Sequence, residues 1–147
     1  MKILNVAIIN PDTKAPVSLE EWKKDADPTR AEWVLIETDE LKPFCLAKKK
    51  ENGGKDVDFN TALKLGNTMT RAQGLAIYDA KYSGLDEAME LIGGDYVGGW
   101  TWTCEADADP QFNASHAWHV NLYDGIVNYT TKTYGFQVRL VSAFPLE

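Results

Sequence analysis

Ala117-Trp-His-Val-Asn-Leu-Tyr-Asp-Gly125 and Phe136-Gln-Val-Arg-Leu-Val-Ser-Ala-Phe144 decide how this chain folds. In the first stretch Trp118, Val120 and Leu122 share one phase of a period-two pattern, and His119, Asn121 and Tyr123 share the other. Alternation of that kind is what a strand with two unlike faces requires. Asp124-Gly125 supplies the residues that tight hairpin turns prefer, so the chain reverses there and returns through Ile126–Tyr129. After a turn over residues 130–135, Phe136, Val138 and Leu140 form the inward stripe of a closing strand.

Upstream, the period changes. Leu85, Ala88, Met89 and Ile92 follow the i, i+3, i+4, i+7 template of a helix with one buried face, and Gly93-Gly94 ends it. Thr70-Arg-Ala-Gln73 is a capping box that opens another helix, running to about Lys81. Asp58 caps a shorter helix that stops at Gly66. Trp33–Thr38 and Phe44–Ala47 read as a hairpin. Ser18-Leu-Glu-Glu21 is a second capping box, opening a short helix that Asp27-Pro28 stops. Leu4–Ile9 is an apolar strand ended by Asn10-Pro11-Asp12. It is too short for the core of a secretion signal or for a membrane span. Helices in the middle and a short antiparallel sheet at both chain ends make an α+β domain in which the terminal strands meet.

Size and charge set the outer limits. At 147 residues the chain fits one domain, and its 44% apolar and 25% charged residues are ordinary for a globular protein. The net charge of −7 disfavours nucleic acid and anionic membrane surfaces as partners. No Lys or Arg lies between Tyr82 and Thr131, a stretch that reads as a solvated acidic face. Cys45 and Cys104 are far apart and lack metal-ligand spacing, so they read as small buried apolar residues, with a disulfide between them as the alternative. Between Gly98 and Phe144, Trp100, Trp102, Trp118, Tyr123, Tyr129 and Tyr134 are interleaved with Asn, Ser and Thr. Stiff aromatic contact area beside short polar groups is the composition of a binding surface.

Three motifs in order carry a family resemblance: Gly99-Trp-Thr-Trp-Thr-Cys104, then Ala117–Gly125, then Val138-Arg-Leu-Val-Ser-Ala-Phe144, preceded by a helix ending in Gly93-Gly94. Residues 68–144 resemble the large bacterial and phage family named for the C-terminal domain of collagen-like adhesins (Lcl C-terminal type). The resemblance implies a C-type-lectin-like fold over residues 31–147. It also implies a non-enzymatic role as an adhesin, a variable receptor-binding protein or a virion component. Two departures stand out: Asn67-Thr-Met-Thr70 replaces the usual W-x-L-P-T, and Thr103-Cys104 replaces a paired Ser.

The expectation is therefore a capsid decoration, head fibre or tail adhesin that works through protein contacts, as a homo-oligomer or on a virion scaffold. A host-surface protein or glycan is a further candidate partner. The implied location is the virion, or the host cytoplasm before assembly, with the bacterial surface as the alternative. Residues 1–30 lie outside the resemblance. Leu4, Val6 and Ile8 on their apolar strand, with no evident pairing mate, are candidate assembly contacts. His119, Asn121, Tyr123, Tyr129 and Tyr134, on the outward phase or in turns, are the candidate ligand contacts, while Trp100, Trp102, Trp118, Phe136 and Phe144 are assigned to the core.

No catalytic residue and no cofactor are expected. His116 and His119 sit three apart, on opposite faces of a strand, and no Ser lies in a strand-to-helix elbow. Two rivals remain. Glu105, Asp107 and Asp109 alternate like part of a calcium loop, which would suit a calcium-dependent carbohydrate-binding lectin, but no bidentate Glu or bend Gly follows. An enzyme of the formylglycine-generating branch would need Cys104 to be reactive and paired with a second cysteine.

Overall fold

Strand β3 (Trp33–Thr38) places three consecutive residues, Val34, Leu35 and Ile36, entirely out of solvent. Only a strand covered on both faces can do that, and β3 is the central strand of a five-stranded antiparallel sheet. The computed structural model describes residues 1–106, 109 and 111–146. The sheet contains β2 (Pro16–Val17), β1 (Ile3–Ile9), β3, β4 (Phe44–Ala47) and β8 (Val141–Ala143), in that spatial order. Both chain ends thus enter one sheet: Phe44, Cys45 and Leu46 of β4 lie opposite Ala143, Ser142 and Val141 of β8.

One face of this sheet packs on the helices. Ile8, Val34, Ile36, Phe44 and Leu46 meet Ala76, Ile77 and Ala80 of α3 (Arg71–Ala80) and Leu85, Ala88, Met89 and Ile92 of α4 (Leu85–Ile92). The other face, with Ala7, Ile9, Leu35 and Cys45, is covered by Trp33, Phe144 and Leu146. The helix signals work largely as written in the sequence, except that the Ser18 box forms only in half, its Glu21 carboxylate pairing with Lys24 instead of reaching back. The Ser18 hydroxyl accepts from the Glu21 amide to open α1 (Leu19–Trp22), and the Asp58 carboxylate accepts from the Thr61 amide to open α2 (Phe59–Leu65). Thr70 and Gln73 cap each other's backbone at the start of α3, and Gly93 ends α4 at φ +73°.

The second sheet has three antiparallel strands, β5 (Trp100–Ala106), β6 (His116–Asn121) and β7 (Val127–Thr131). It leans on α3 through Val120, whose methyls fill the space where Gly74 has no side chain: a Cβ there would stand 2.9 Å from Val120 Cγ2. Its opposite face is also covered, by a cluster of Phe59, Ala62, Trp102, Ala117 and Val138 with Val57, Phe136 and Leu140.

Two expectations are corrected. Residues 1–30 do not form a separate assembly segment with an unpaired strand. β1 pairs with β3 from Ile3↔Thr38 to Ile8↔Val34, Ile8 is core, Val6 packs partly buried against the same cluster, and only Leu4 is largely exposed, at 57%. The mate was hidden because it lies some thirty residues on, where only tertiary structure brings it. Likewise Phe136–Phe144 is not one strand. Residues 136–140 cross between the sheets through single bridges (Phe136 to Val57, Gln137 to Thr101, Leu140 to Thr68), and ladder pairing resumes only at Val141.

Candidate functional site

The crossing segment fixes how the two sheets sit. Gln137 Nε2 donates to Gly98 O and to Thr101 Oγ1 at 2.9 Å, tying the segment to β5. Arg139, 1% exposed, reaches the other way. Its guanidinium donates to the carbonyls of Ala47 (3.0 Å) and Lys48 (2.7 Å) at the end of β4, and of Asp95 (2.9 Å) and Tyr96 (3.1 Å) on the approach to β5. Burial lowers its pKa to about 10, partly opposed by the Asp95 carboxylate nearby. The bonded oxygens are neutral, so this arginine works as a multidentate clamp for backbone that has no ladder partner there. Strand phase alone had left Arg139 without a role.

The five candidate contact residues fall in three places. His119 is buried, at 4% exposure, in a box of rings: its centroid lies 4.4 Å from Phe136, 4.7 Å from Trp100 and 6.0 Å from Trp102. Its Nδ1 makes no hydrogen bond, and burial lowers its pKa to about 4. His119 is therefore removed from the contact set. The alternation was read correctly, but its outward phase is covered by the second aromatic layer. Tyr134 stacks on the rim of this box, 5.7 Å from Phe136, and is 60% exposed.

Asn121 ends β6, and Tyr123 lies in the turn that follows. Asn121 Oδ1 accepts from the Tyr123 amide at 2.9 Å, which holds the turn rather than presenting the amide side chain outward. Tyr123 leans on bare backbone, since a Cβ at Gly98 would be 2.6 Å from its ring, and pairs with Tyr96 at 5.7 Å. Beneath them the buried Lys81 ammonium donates to Tyr96 Oη and Leu122 O, 4.5 Å from the Tyr96 ring centre.

Tyr129 lies on the other face. There the rings run in edge-to-face steps: Phe112 to His116 (5.3 Å), His116 to Tyr129 (6.1 Å), and Tyr129 to Trp118 (5.2 Å). Arg71, at the first position of α3, lies 4.3 Å over Trp118 and pairs with Glu105 at 3.0 Å. Trp118, assigned to the core, is half-buried and belongs to this surface. Phe112 and Tyr129 are 38% and 48% exposed. An open groove of about 420 Å³ lined by Arg71, Ala72, Leu75, Glu105 and Val127 continues the row. Sequence reasoning gave Arg71 and Phe112 no contact role, and weighed His116 only as a metal ligand. The signal for Arg71 was present in the capping box, which places it at the start of the helix that crosses behind β6.

The acidic alternation does not assemble a metal site among the described residues. Glu105 accepts from the Arg71 backbone and side chain, Asp109 Oδ1 accepts from the Gln111 amide, and Asp107 lies outside the described residues. Cys104 is exposed at the edge of β5. Desolvation, then Glu105, raises its pKa, which reduces rather than promotes the thiolate. Cys45 is buried within the other sheet. No helix among the described residues is long and apolar enough to cross a membrane. A scan against protein-family models finds no match for this chain, and a search of curated proteins finds none either.

Proposed function

We propose that this protein is a non-enzymatic binding and assembly module of C-type-lectin-like architecture, acting through protein–protein contacts in a phage particle or on a bacterial surface. The architecture is supported by the joining of both chain ends in one sheet beside the β3–β4 hairpin, with helices between and a separate three-stranded sheet carrying the tryptophan motifs.

One observation carries the binding role: the solvent-facing aromatic row Phe112–His116–Tyr129–Trp118, ending on the Arg71–Glu105 pair. Rings that meet edge-to-face hold each other in place, so a partner that covers them loses little side-chain entropy. Tyr, Trp and Arg are the residue types that dominate interface energetics. The N-terminal strand no longer contributes to the assembly argument, because its pairing is satisfied internally.

Light scattering of the whole chain from micromolar to millimolar concentration tests the proposal, together with mass spectrometry of purified particles. A discrete oligomer, or a fixed stoichiometry with a structural protein, is expected. A monomer at every concentration that is also absent from particles would overturn it.

A further inference from the structure

Three carboxylates stand on α4, and the chain treats them unequally. Glu87 is paired with Lys23 at 2.8 Å. Asp86 and Glu90, one helical turn apart, have no cation within ion-pair distance among the described residues. They line a pocket of about 300 Å³ completed by Met89, Gly94, Tyr96 and Val97. Asp86 Oδ1 is out of solvent yet makes no hydrogen bond, an arrangement that native proteins rarely leave unexplained. Glu90 sits in the last turn of α4, where a carboxylate opposes the helix dipole and no basic residue offsets it. It also lies one turn from another carboxylate, which weakens an isolated helix. Asp86 suits the first turn of the helix, but its Oδ1 is left without a partner there, and Glu90 works against the last turn; the unmet oxygen and the unoffset charge point to something brought from outside.

The walls define what that is. Val97 is fully buried and Met89 nearly so, and Met89 is held against the Arg139 guanidinium and the bare backbone of Gly94. Tyr96 is fixed by Lys81. The site is therefore preformed, with an apolar interior and two free negative charges. An aliphatic stem with a cationic tip matches both parts, as lysine and arginine side chains do. Lys81 occupies the Tyr96 hydroxyl, so the cation belongs at Asp86 and Glu90, not on the tyrosine ring.

We infer that this pocket receives a lysine or arginine side chain presented by a protein partner. The inference deepens the assembly reading by giving the partner a basic contact segment. The stretch from Ser83 to Thr130, which carries acidic residues and no Lys or Arg, favours approach of such a segment.

Nuclear magnetic resonance titration of the whole chain with Nα-acetyl-lysine methylamide tests it, with the norleucine analogue as the uncharged isostere. Saturable shifts at the Glu90, Gly94 and Val97 amides are expected, with affinity in the millimolar range and at least about tenfold over norleucine. Glu90→Gln and Asp86→Asn should each weaken binding several-fold, while Glu90→Asp retains it. Glu90 is exposed, so its variants fold, and an unchanged amide spectrum checks that. No saturable shift, equal binding of norleucine, or binding indifferent to Glu90→Gln would each overturn the inference. An oligomer or particle complex seen by light scattering in the same preparation would leave the broader assembly reading standing.

Discussion

The two sheets use their large residues in opposite ways. In the five-stranded half, Trp22 and Phe44 are sealed in the core, and central strand β3 is apolar on both faces. Hydrophobic burial holds that half, and its exposed positions carry ordinary charged pairs such as Lys23–Glu20. In the three-stranded half, Tyr123, Ile126, Tyr129 and Tyr134 remain 48–60% exposed, beside a buried ring box whose imidazole lacks a full set of partners. The first half is optimised to exist. The second departs from local rules of burial and polar satisfaction, and such departures concentrate where a protein meets something else. Helix α3 stands between them, touching strands of both sheets, and the Arg139 clamp joins them.

The largest effect that could break this division is expected at the joint. Arg139→Met keeps much of the side-chain volume but removes the side-chain donor from the carbonyls of Ala47, Asp95 and Tyr96, and leaves Lys48 O with only the Asp95 amide. A loss of about 4 kcal/mol in urea unfolding is expected, from several buried acceptors left unsatisfied. If the two halves are energetically separate units, the variant shows two unfolding transitions. If the clamp makes them one, a single transition moves to lower urea. A loss below about 1 kcal/mol would mean that the carbonyls find other donors.

The next effect belongs to the three-stranded half alone. His119 has a folded pKa of about 4, below the ordinary histidine value near 6.5, because burial disfavours its charged form. With the folded value depressed, the unfolded chain takes up the proton first as pH falls. The stability associated with neutral His119 is whole above about pH 6.5 and is lost progressively down to about pH 4, by up to about 3 kcal/mol. His119→Phe, a ring among rings, should flatten the stability profile across that window, measured by urea unfolding at pH 7 and pH 4.5. Below that window, carboxylates held ionised take over. Asp25, whose pKa Arg30 lowers to about 2, is one in the five-stranded half. An unchanged profile in the variant would show that His119 is better solvated than its box implies.

Legibility followed the same division. The boundaries of β3 and β4, the Asp58 cap, the Thr70–Gln73 box and the Gly93 stop were all readable, because each is fixed by residues close in sequence. The terminal strands do enter one sheet, as their apolar patterns suggested, but β1 and β8 do not pair with each other: β3 and β4 lie between them. What was missed depends on distant residues. Nothing in Leu4–Ile9 names β3 as its mate, and nothing in His119 reveals that Phe136 and Trp102 will cover it. Period-two alternation identifies two faces but cannot say that both are buried. The aromatic row was half-read. Tyr129 stood out by phase, whereas Phe112 and His116 join it only through the turn that precedes β6.

The smallest expected change in stability is also the one that separates presentation from packing most cleanly. Tyr129 is 48% exposed on edge strand β7, and its ring touches His116 and Trp118 only by their edges. Tyr129→Ala should cost below about 0.5 kcal/mol in urea unfolding, as exposed substitutions do. If the row is a contact surface, the same change should weaken self-association or partner binding by at least about tenfold, the effect of removing a central interface aromatic. The two readouts together carry the decision. A large stability loss with unchanged association would make the row an outlying piece of core, and the contrast between the two sheets would then be one of degree. A small stability loss with weakened association would mean that the three-stranded sheet holds these rings in place for a partner.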